Sequence, residues 1–202
     1  MFFSPDSPHG SFVAHFTNDP ASDFGIWARG YQEAARRLTE SLLIEPGIGD
    51  NDAYPVVFLY RHALELYLKG GVLKANRLAG LMGQAELCER LKFDHRLVPL
   101  YEANKRLLEA SFPGDSHLRM IIAKLGRIVK DLDAVDPGSF NFRYPVNKDN
   151  ERPVEGPVVL GLIQLRAKME EVLDALNDVD TALGVEVGVA MDVVSNLYHD
   201  GP

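Results

Sequence analysis

The stretch that most constrains the fold is residues 54–73, which read YPVVFLYRHALELYLKGGVL. At 100° per residue, apolar side chains cover most of a helix here, and the polar ones fall within about a third of its circumference. A helix that is apolar on nearly every side lies at the centre of its protein. Its narrow polar stripe therefore predicts charged groups that are at least partly buried and need partners. The stripe consists of Arg61, His62, Glu65 and Lys69.

The chain has 202 residues, of which 46% are hydrophobic and 25% charged, so we expect one globular domain over residues 1–202. The single cysteine, Cys88, cannot form an internal disulfide, and nothing indicates an oxidising compartment. The N-terminus lacks the basic start and apolar run of a signal peptide, and no run of about 18 apolar residues follows. We therefore expect a soluble cytoplasmic protein that does not enter a membrane.

The charge is concentrated at the C-terminal end. After Lys168 the chain has no Lys or Arg, and the eight acidic residues beyond it account for the whole net charge of −8. They are Glu170, Glu171, Asp174, Asp178, Asp180, Glu186, Asp192 and Asp200. An acidic segment repels phosphate, and a formally neutral body offers no broad basic surface for nucleic acid. Any contact with RNA or a nucleotide would have to be local.

Helical periodicity predicts an all-α fold, an antiparallel bundle of four or five long helices. The first helix spans 20–44, capped by Asn18 or Asp19, and the central helix extends to about Leu81 with Pro55 in its first turn. A short helix is predicted at 84–92, and Asp94 is expected to cap the next one. Asp115 or Ser116 caps the fifth predicted helix, and Pro157 falls in the first turn of the last.

Three segments are predicted to lie outside this pattern: an irregular start at 1–18, a long loop at 135–157 and an acidic C-terminal extension at 184–202. A loop at 45–52, whose Asp/Asn run can cap the central helix, joins the first two helices. Gly184 and Gly188 are expected to break or kink the last helix. The alternating valines around them leave a short strand open as an alternative.

The polar stripe has three interpretations. Arg61, Glu65 and Lys69 are spaced i, i+4, i+8, which favours a ladder of ion pairs along one helix face. Alternatively, Arg61 and His62 face a neighbouring helix or protomer and contact phosphate or a partner, because Arg offers a planar fork and His exchanges protons near neutral pH. Simple exposure to solvent is the third interpretation.

A metal site is a further alternative, with His62 and Glu65 joined by His95 or His117. Bundle metal sites usually have a Glu-x-x-His on each of two helices, and this chain has the spacing once and reversed. We therefore predict no metal and no cofactor, and interpret His95 as a residue that bonds a neighbour. In the long loop, Arg143 between Phe142 and Tyr144 either anchors the loop onto the bundle or stacks on a base.

Three motifs in order resemble those of bacterial HEPN-like proteins over roughly residues 50–180: Arg61-His62-x-x-Glu65-x-x-x-Lys69, Asp94-His95-Arg96-Leu97 and Phe142-Arg143-Tyr144-Pro145. The resemblance implies a helical bundle, often dimeric. Many such proteins are RNA-cleaving toxins or defence components, and others are non-catalytic partners of nucleotidyltransferases or effectors. The candidate binding residues are Arg61, His62, Glu65, Lys69, His95, Arg143 and Tyr144.

Active members of this class carry an Arg followed after four to six residues by a His, late in the bundle. There the His acts as acid or base and the Arg holds the phosphate. In this chain Arg166 has no histidine after it until His199, and the pair Arg90 and His95 has the spacing only at a helix start.

We therefore expect a non-catalytic HEPN-like protein, most simply a homodimer, that binds RNA, a nucleotide or a protein partner in a toxin–antitoxin or defence setting. A cognate antitoxin or a nucleotidyltransferase would be its partner. The alternatives are a metal-independent ribonuclease using His62 or His95, a metal-dependent hydrolase, and a structural adaptor whose acidic C-terminal helix binds a basic partner.

Overall fold

The computed structural model describes residues 19–44, 50–83, 94–146, 150 and 160–199. Within these residues the protein is all-α, with five helices packed antiparallel and no strand. They are α1 (Pro20–Ile44), α2 (Ala53–Leu81), α3 (Leu97–Ser111), α4 (Ser116–Val135) and α5 (Leu162–His199), and a 3-10 turn at Asp50–Asp52 precedes α2. None of the described helices is long and apolar enough to span a membrane.

Helix α2 is the central helix, as its apolar surface predicts. It packs against α1, α3 and α5, while α4 closes the bundle against α3 and α5. Leu64 and Leu68 are completely buried. Three members of the polar stripe are buried with them, since Arg61 is 0% exposed, Glu65 1% and Lys69 6%, and His62 is partly buried. The expectation that the stripe is at least partly buried is confirmed.

Most predicted helix boundaries are confirmed. Helix α1 begins at Pro20, and the Asp19 carboxylate accepts hydrogen bonds from the Ala21 N–H at 3.2 Å and the Ser22 hydroxyl at 2.9 Å. Pro55 lies in the first turn of α2. Asp115 caps α4 through the Leu118 N–H at 2.9 Å. The apolar side chains of α4, which recur at helical spacing from Leu118 to Leu132, are buried.

Four local predictions are wrong. Asp94 does not cap α3, because its carboxylate binds the N–H and guanidinium of Arg96, which is itself the N-cap residue. Asp52 precedes α2 but makes no side-chain capping bond, since its backbone is already helical. Helix α5 starts at Leu162, well after Pro157, because Leu160 and Gly161 are not helical.

The fourth wrong prediction is a break at the glycines of α5. The helix passes through Gly184 and Gly188 to His199 without a break, and residues 185–189 form no strand. Packing of Leu183 and Val187 on the body outweighs the weak helix propensity of glycine here. The predicted short helix at 84–92 lies outside the described residues, as do 1–18 and parts of the two predicted loops.

Candidate functional site

Arg61 lies at the centre of the bundle with every guanidinium nitrogen engaged by the protein. Nη1 donates to Glu65 Oε2 at 3.1 Å, and Nη2 donates to the carbonyl oxygens of His95 at 2.9 Å and Asp136 at 3.3 Å. Nε lies 3.0 Å from Asp136 Oδ2 without the alignment of a hydrogen bond, so that contact is an ion pair. Burial lowers the pKa of Arg61 from its ordinary value, and the carboxylates of Asp136 and Glu65 oppose that shift.

Glu65 joins the other members of this cluster. Its Oε1 accepts a hydrogen bond from Lys69 Nζ at 2.9 Å and lies 2.9 Å from His95 Nδ1. Because a carboxylate can only accept, Nδ1 carries the proton when His95 is neutral. Burial alone would raise the pKa of Glu65, but the bonds from Lys69 and His95 hold it below its ordinary value. We call Arg61, Glu65, Lys69 and Asp136 the ionic cluster, in which two cations balance two anions.

The ionic cluster ties three parts of the chain together. Helix α2 supplies three of its members, Asp136 follows the end of α4, and the His95 carbonyl reaches it from the segment before α3. The second carboxylate oxygen of Asp136 accepts the N–H groups of Phe140 at 2.8 Å and Asn141 at 3.1 Å. The buried cluster therefore fixes the turn that follows α4.

His62, unlike the other three residues of the polar stripe, lies among aromatic rings and outside the ionic cluster. Its ring meets Tyr31 edge-on with 4.5 Å between centroids, and stacks on Phe58 at 5.5 Å with 13° between the planes. Burial lowers the pKa of His62, Glu65 opposes this, and the positive charge of Arg143 adds to the lowering. His62 and His95 therefore face different partners. Among the described residues, no group of His, Cys, Asp and Glu side chains could hold a metal ion.

The turn fixed by Asp136 carries Arg143 onto the outside of α2. The Arg143 guanidinium lies over the rings of Phe140 at 5.4 Å, Phe58 at 5.6 Å and Tyr144 at 6.0 Å, and its Nε donates to the Ser139 carbonyl. Phe140 is 46% exposed and Tyr144 53%, so the rings open to solvent. We call these four residues, Arg143, Phe58, Phe140 and Tyr144, the Arg143 surface.

A row of rings extends this surface along α2. Tyr54, Phe58 and His62 are spaced i, i+4, i+8 and therefore share one helix face. Tyr54, half exposed, meets Phe142 with 6.5 Å between ring centroids. Sequence reasoning missed Tyr54, Phe58, Phe140 and Asp136. The four-residue spacing of the rings was a usable signal, whereas Asp136 stands in an Asp-Pro-Gly sequence that reads as an ordinary turn.

A second polar cluster, unforeseen from the sequence, joins α1, α2 and α5. Glu170 accepts hydrogen bonds from the Tyr60 hydroxyl at 2.8 Å, Gln32 Nε2 at 3.0 Å and Arg36 Nη2 at 2.8 Å. Burial together with this carboxylate raises the pKa of Tyr60. Each of these polar groups has a partner within the bundle, so we interpret the cluster as a structural contact that holds α1, α2 and α5 together.

The remaining sequence candidates are dispersed. Arg166 pairs with Glu40, and His117 is exposed at the start of α4. Arg90 lies outside the described residues, as does the side chain of His199. No family model, curated protein or solved structure matches this chain. The findings establish an all-helical protein with five described helices and assign it to no family, so the HEPN-like resemblance stays a prediction.

Proposed function

We propose that the protein binds single-stranded RNA on the Arg143 surface without cleaving it. The observation that carries the proposal is one exposed guanidinium surrounded by three aromatic rings, two of them open to solvent. Proteins that hold single strands combine stacking of bases on such rings with cationic contacts to the backbone. Arg143 would contact phosphate, while Tyr144 and Phe140 would stack bases.

The openness of this surface favours a strand over a free nucleotide. A small-molecule site buries most of its ligand in a concave pocket. Here Tyr54, Phe140 and Tyr144 are each about half exposed, at 50%, 46% and 53%. Successive bases of an extended strand can lie on such rings, and double-stranded RNA, whose bases are already stacked, cannot.

The polar stripe supports this proposal indirectly. Arg61 and Glu65 have no exposed surface to offer a ligand, but Arg61 pairs with Asp136, whose carboxylate accepts the backbone N–H of Phe140 in the turn that carries Arg143. His62 lies between two rings and His95 bonds Glu65, so neither is paired with an arginine in the way described above for active HEPN-like proteins. These contacts favour binding over catalysis.

Fluorescence anisotropy with a short labelled single-stranded RNA tests the proposal. We expect Arg143→Ala and Tyr144→Ala each to weaken binding about 5-fold or more, since stacking one base is worth roughly 1–3 kcal/mol and Arg143 supplies the contact to phosphate. Arg127→Ala, which removes another exposed arginine, on α4, is the matched control and should bind like the unaltered protein. If Arg143, the one cation of this surface among the described residues, makes the phosphate contact, log K should fall with log[salt] at a slope of about −0.7.

A gel of the same RNA after incubation, with and without EDTA, reads cleavage directly. Intact RNA in both lanes is the expected result. Cleavage that survives EDTA would replace the binding role by the ribonuclease alternative and direct attention to His62 and His95. If Arg143→Ala and Tyr144→Ala bind the RNA as tightly as Arg127→Ala, the RNA does not bind on the Arg143 surface.

A further inference from the structure

The C-terminal half of α5 presents an apolar stripe to solvent. Val185, Val189, Val193 and Leu197 are spaced at four-residue intervals and are 60%, 54%, 54% and 73% exposed. At 100° per residue they fall within about a third of the helix circumference. Four large aliphatic side chains aligned on one face differ from the isolated exposed apolar residues of an ordinary surface. We call these four residues the α5 stripe.

The opposite face of the same helix holds α5 to the body. Leu183 and Val187 are buried in the core beside α2, α3 and α4. Further along, the Arg77 guanidinium of α2 contacts the Met191 sulfur at 3.3 Å. The helix is therefore anchored with a fixed orientation, and the direction in which the α5 stripe points is set by the fold.

Carboxylates border the α5 stripe on both sides. On a helical projection, Asp192 lies about 100° to one side of its stripe neighbour Val193, and Glu186 lies about 100° to the other side of its stripe neighbour Val185. Both acids are exposed, and so is Asp178, which lies in line with the stripe about two turns before Val185. Helix α5 itself carries no Lys or Arg beyond Lys168, and Arg77 of α2, which reaches Met191 on the opposite face, pairs with Asp19. A second copy docked stripe to stripe would bring these acids together, which opposes self-association.

We propose that the α5 stripe docks an amphipathic helical segment of another protein, one whose aliphatic face is bordered by Lys or Arg. Aliphatic contacts would supply the affinity, as when an amphipathic helix lies on an apolar surface. The bordering carboxylates would select a basic partner and set its register. A Cβ built on Gly188, beside the stripe, would meet no atom within 4 Å, so this side of the helix is open to close approach.

Two labelled synthetic helices test this surface. They share one leucine face, which is bordered by Lys in the first peptide and by Glu in the second. The full-length protein should bind the Lys-bordered peptide at least about 10-fold more tightly than its Glu-bordered twin. The double variant Val189→Ser/Val193→Ser should lose about 10-fold or more in affinity, while Val98→Ser, an exposed valine on α3, should lose nothing.

The charged border has its own variant, Glu186→Gln/Asp192→Gln, which should weaken binding of the Lys-bordered peptide and reduce its dependence on salt. Unchanged binding by the double valine variant, or no binding of the Lys-bordered peptide by the unaltered protein, would overturn the proposal. A dimer in sedimentation that Val189→Ser dissociates would overturn it in favour of a second copy. All of these side chains are exposed, and circular dichroism of each variant confirms that the helices are retained.

Discussion

At the scale of single residues, Gly71 shows how close packing decides what this fold tolerates. Asn104 is buried, and its Nδ2 donates to the carbonyl oxygens of Leu68 at 2.7 Å and Leu100 at 2.8 Å, which ties α3 to α2. A Cβ on Gly71 would lie 2.3 Å from Asn104 Oδ1. Asn104 cannot move aside without losing both bonds. Gly71 is therefore the residue that allows this contact between the two helices.

We expect Gly71→Ala to lower the free energy of unfolding by about 2 kcal/mol, as overpacking typically does. Gly30→Ala is the matched control, because Gly30 is exposed within α1 and a Cβ there would meet no atom within 4 Å. The control should gain about 0.5 kcal/mol from helix propensity. Urea titration measures both, and a Gly71→Ala protein as stable as its control would contradict the packing described for Asn104.

His62 makes the stability depend on pH. Burial lowers its pKa in the folded protein below the ordinary value of 6.5. As pH falls through about 6.5, the unfolded chain therefore takes up a proton before the folded protein does, and the free energy of unfolding decreases. The stability that burial of the neutral His62 ring contributes is fully present above about pH 6.5 and is lost below it. Glu65, Glu170 and Asp94 have ordinary values of 4.5, 4.5 and 3.8, so their lowered pKa values affect a more acidic range.

Between about pH 7.5 and about pH 5.5, we expect the unaltered protein to lose stability and His62→Gln to lose clearly less of it. Glutamine keeps a planar polar side chain that does not titrate in this range. His117→Gln, an exposed histidine on α4, serves as the control and should follow the unaltered protein. Denaturant midpoints at each pH give the comparison, and parallel curves for all three proteins would contradict the account of His62.

At the scale of elements, Asp136 links the end of α4 to the central helix. One carboxylate oxygen accepts two backbone N–H groups of the following turn, and the other faces the buried guanidinium of Arg61. Removing the carboxylate leaves Arg61 with a buried charge that is only partly balanced by Glu65. The loss of one partner from a buried ion pair costs about 3–5 kcal/mol.

Asp136→Ala should therefore destabilise the protein by about 3–5 kcal/mol. Asp131→Ala, which removes an exposed carboxylate from α4, should stay within about 0.5 kcal/mol of the unaltered protein. Thermal and urea unfolding of the two variants measure the difference. A cost below about 1 kcal/mol for Asp136→Ala would show that the ionic cluster does not hold this turn.

The helices also show which structural features can be predicted from the sequence and which cannot. Helices α1, α2 and α4 follow from the spacing of apolar residues, and the starts of α1 and α4 also follow from Asp19 and Asp115, because both signals act within a few residues. The start of α5 could not be inferred in this way. Pro157 suits a first helical turn locally, yet the helix begins at Leu162, which packs on the core together with Leu165 and Met169. Tertiary contacts outweighed the local signal.

Part of the candidate site was also predictable from the sequence, because it rests on contacts between residues that are close in sequence. The contacts Arg61–Glu65 and Glu65–Lys69 lie one helical turn apart, and their spacing predicts them. Asp136 reaches Arg61 across 75 positions of sequence, and the three rings around Arg143 come from two separate segments. No local periodicity encodes such contacts, so the Arg143 surface becomes visible only once the helices are placed.

At the scale of the whole molecule, the buried residues form two core clusters. One contains Leu64 and Leu68 of α2, and the other contains Val72 and Leu78 further along the same helix. Tyr101 packs against both clusters. Because α2 passes through both clusters, loosening one removes support from the other, as expected of a single cooperative unit.

Scanning calorimetry should therefore show one transition whose calorimetric and van't Hoff enthalpies agree. Val72→Ala and Leu64→Ala lie in different clusters, and each should shift that one transition without splitting it. Two separable transitions would contradict the prediction of a single domain over residues 1–202.

Ultraviolet cross-linking of labelled single-stranded RNA to the full-length protein, followed by mass spectrometry of its peptides, tests the central claim most directly. Bases stacked on aromatic rings lie in van der Waals contact with them, which is the geometry from which such cross-links form. If RNA binds on the Arg143 surface, cross-links should form at Phe140 or Tyr144, and then at Tyr54, the next ring along the row. We expect these cross-links to be lost in Arg143→Ala. Cross-links confined to other parts of the chain, or none at RNA concentrations that saturate binding, would contradict this claim.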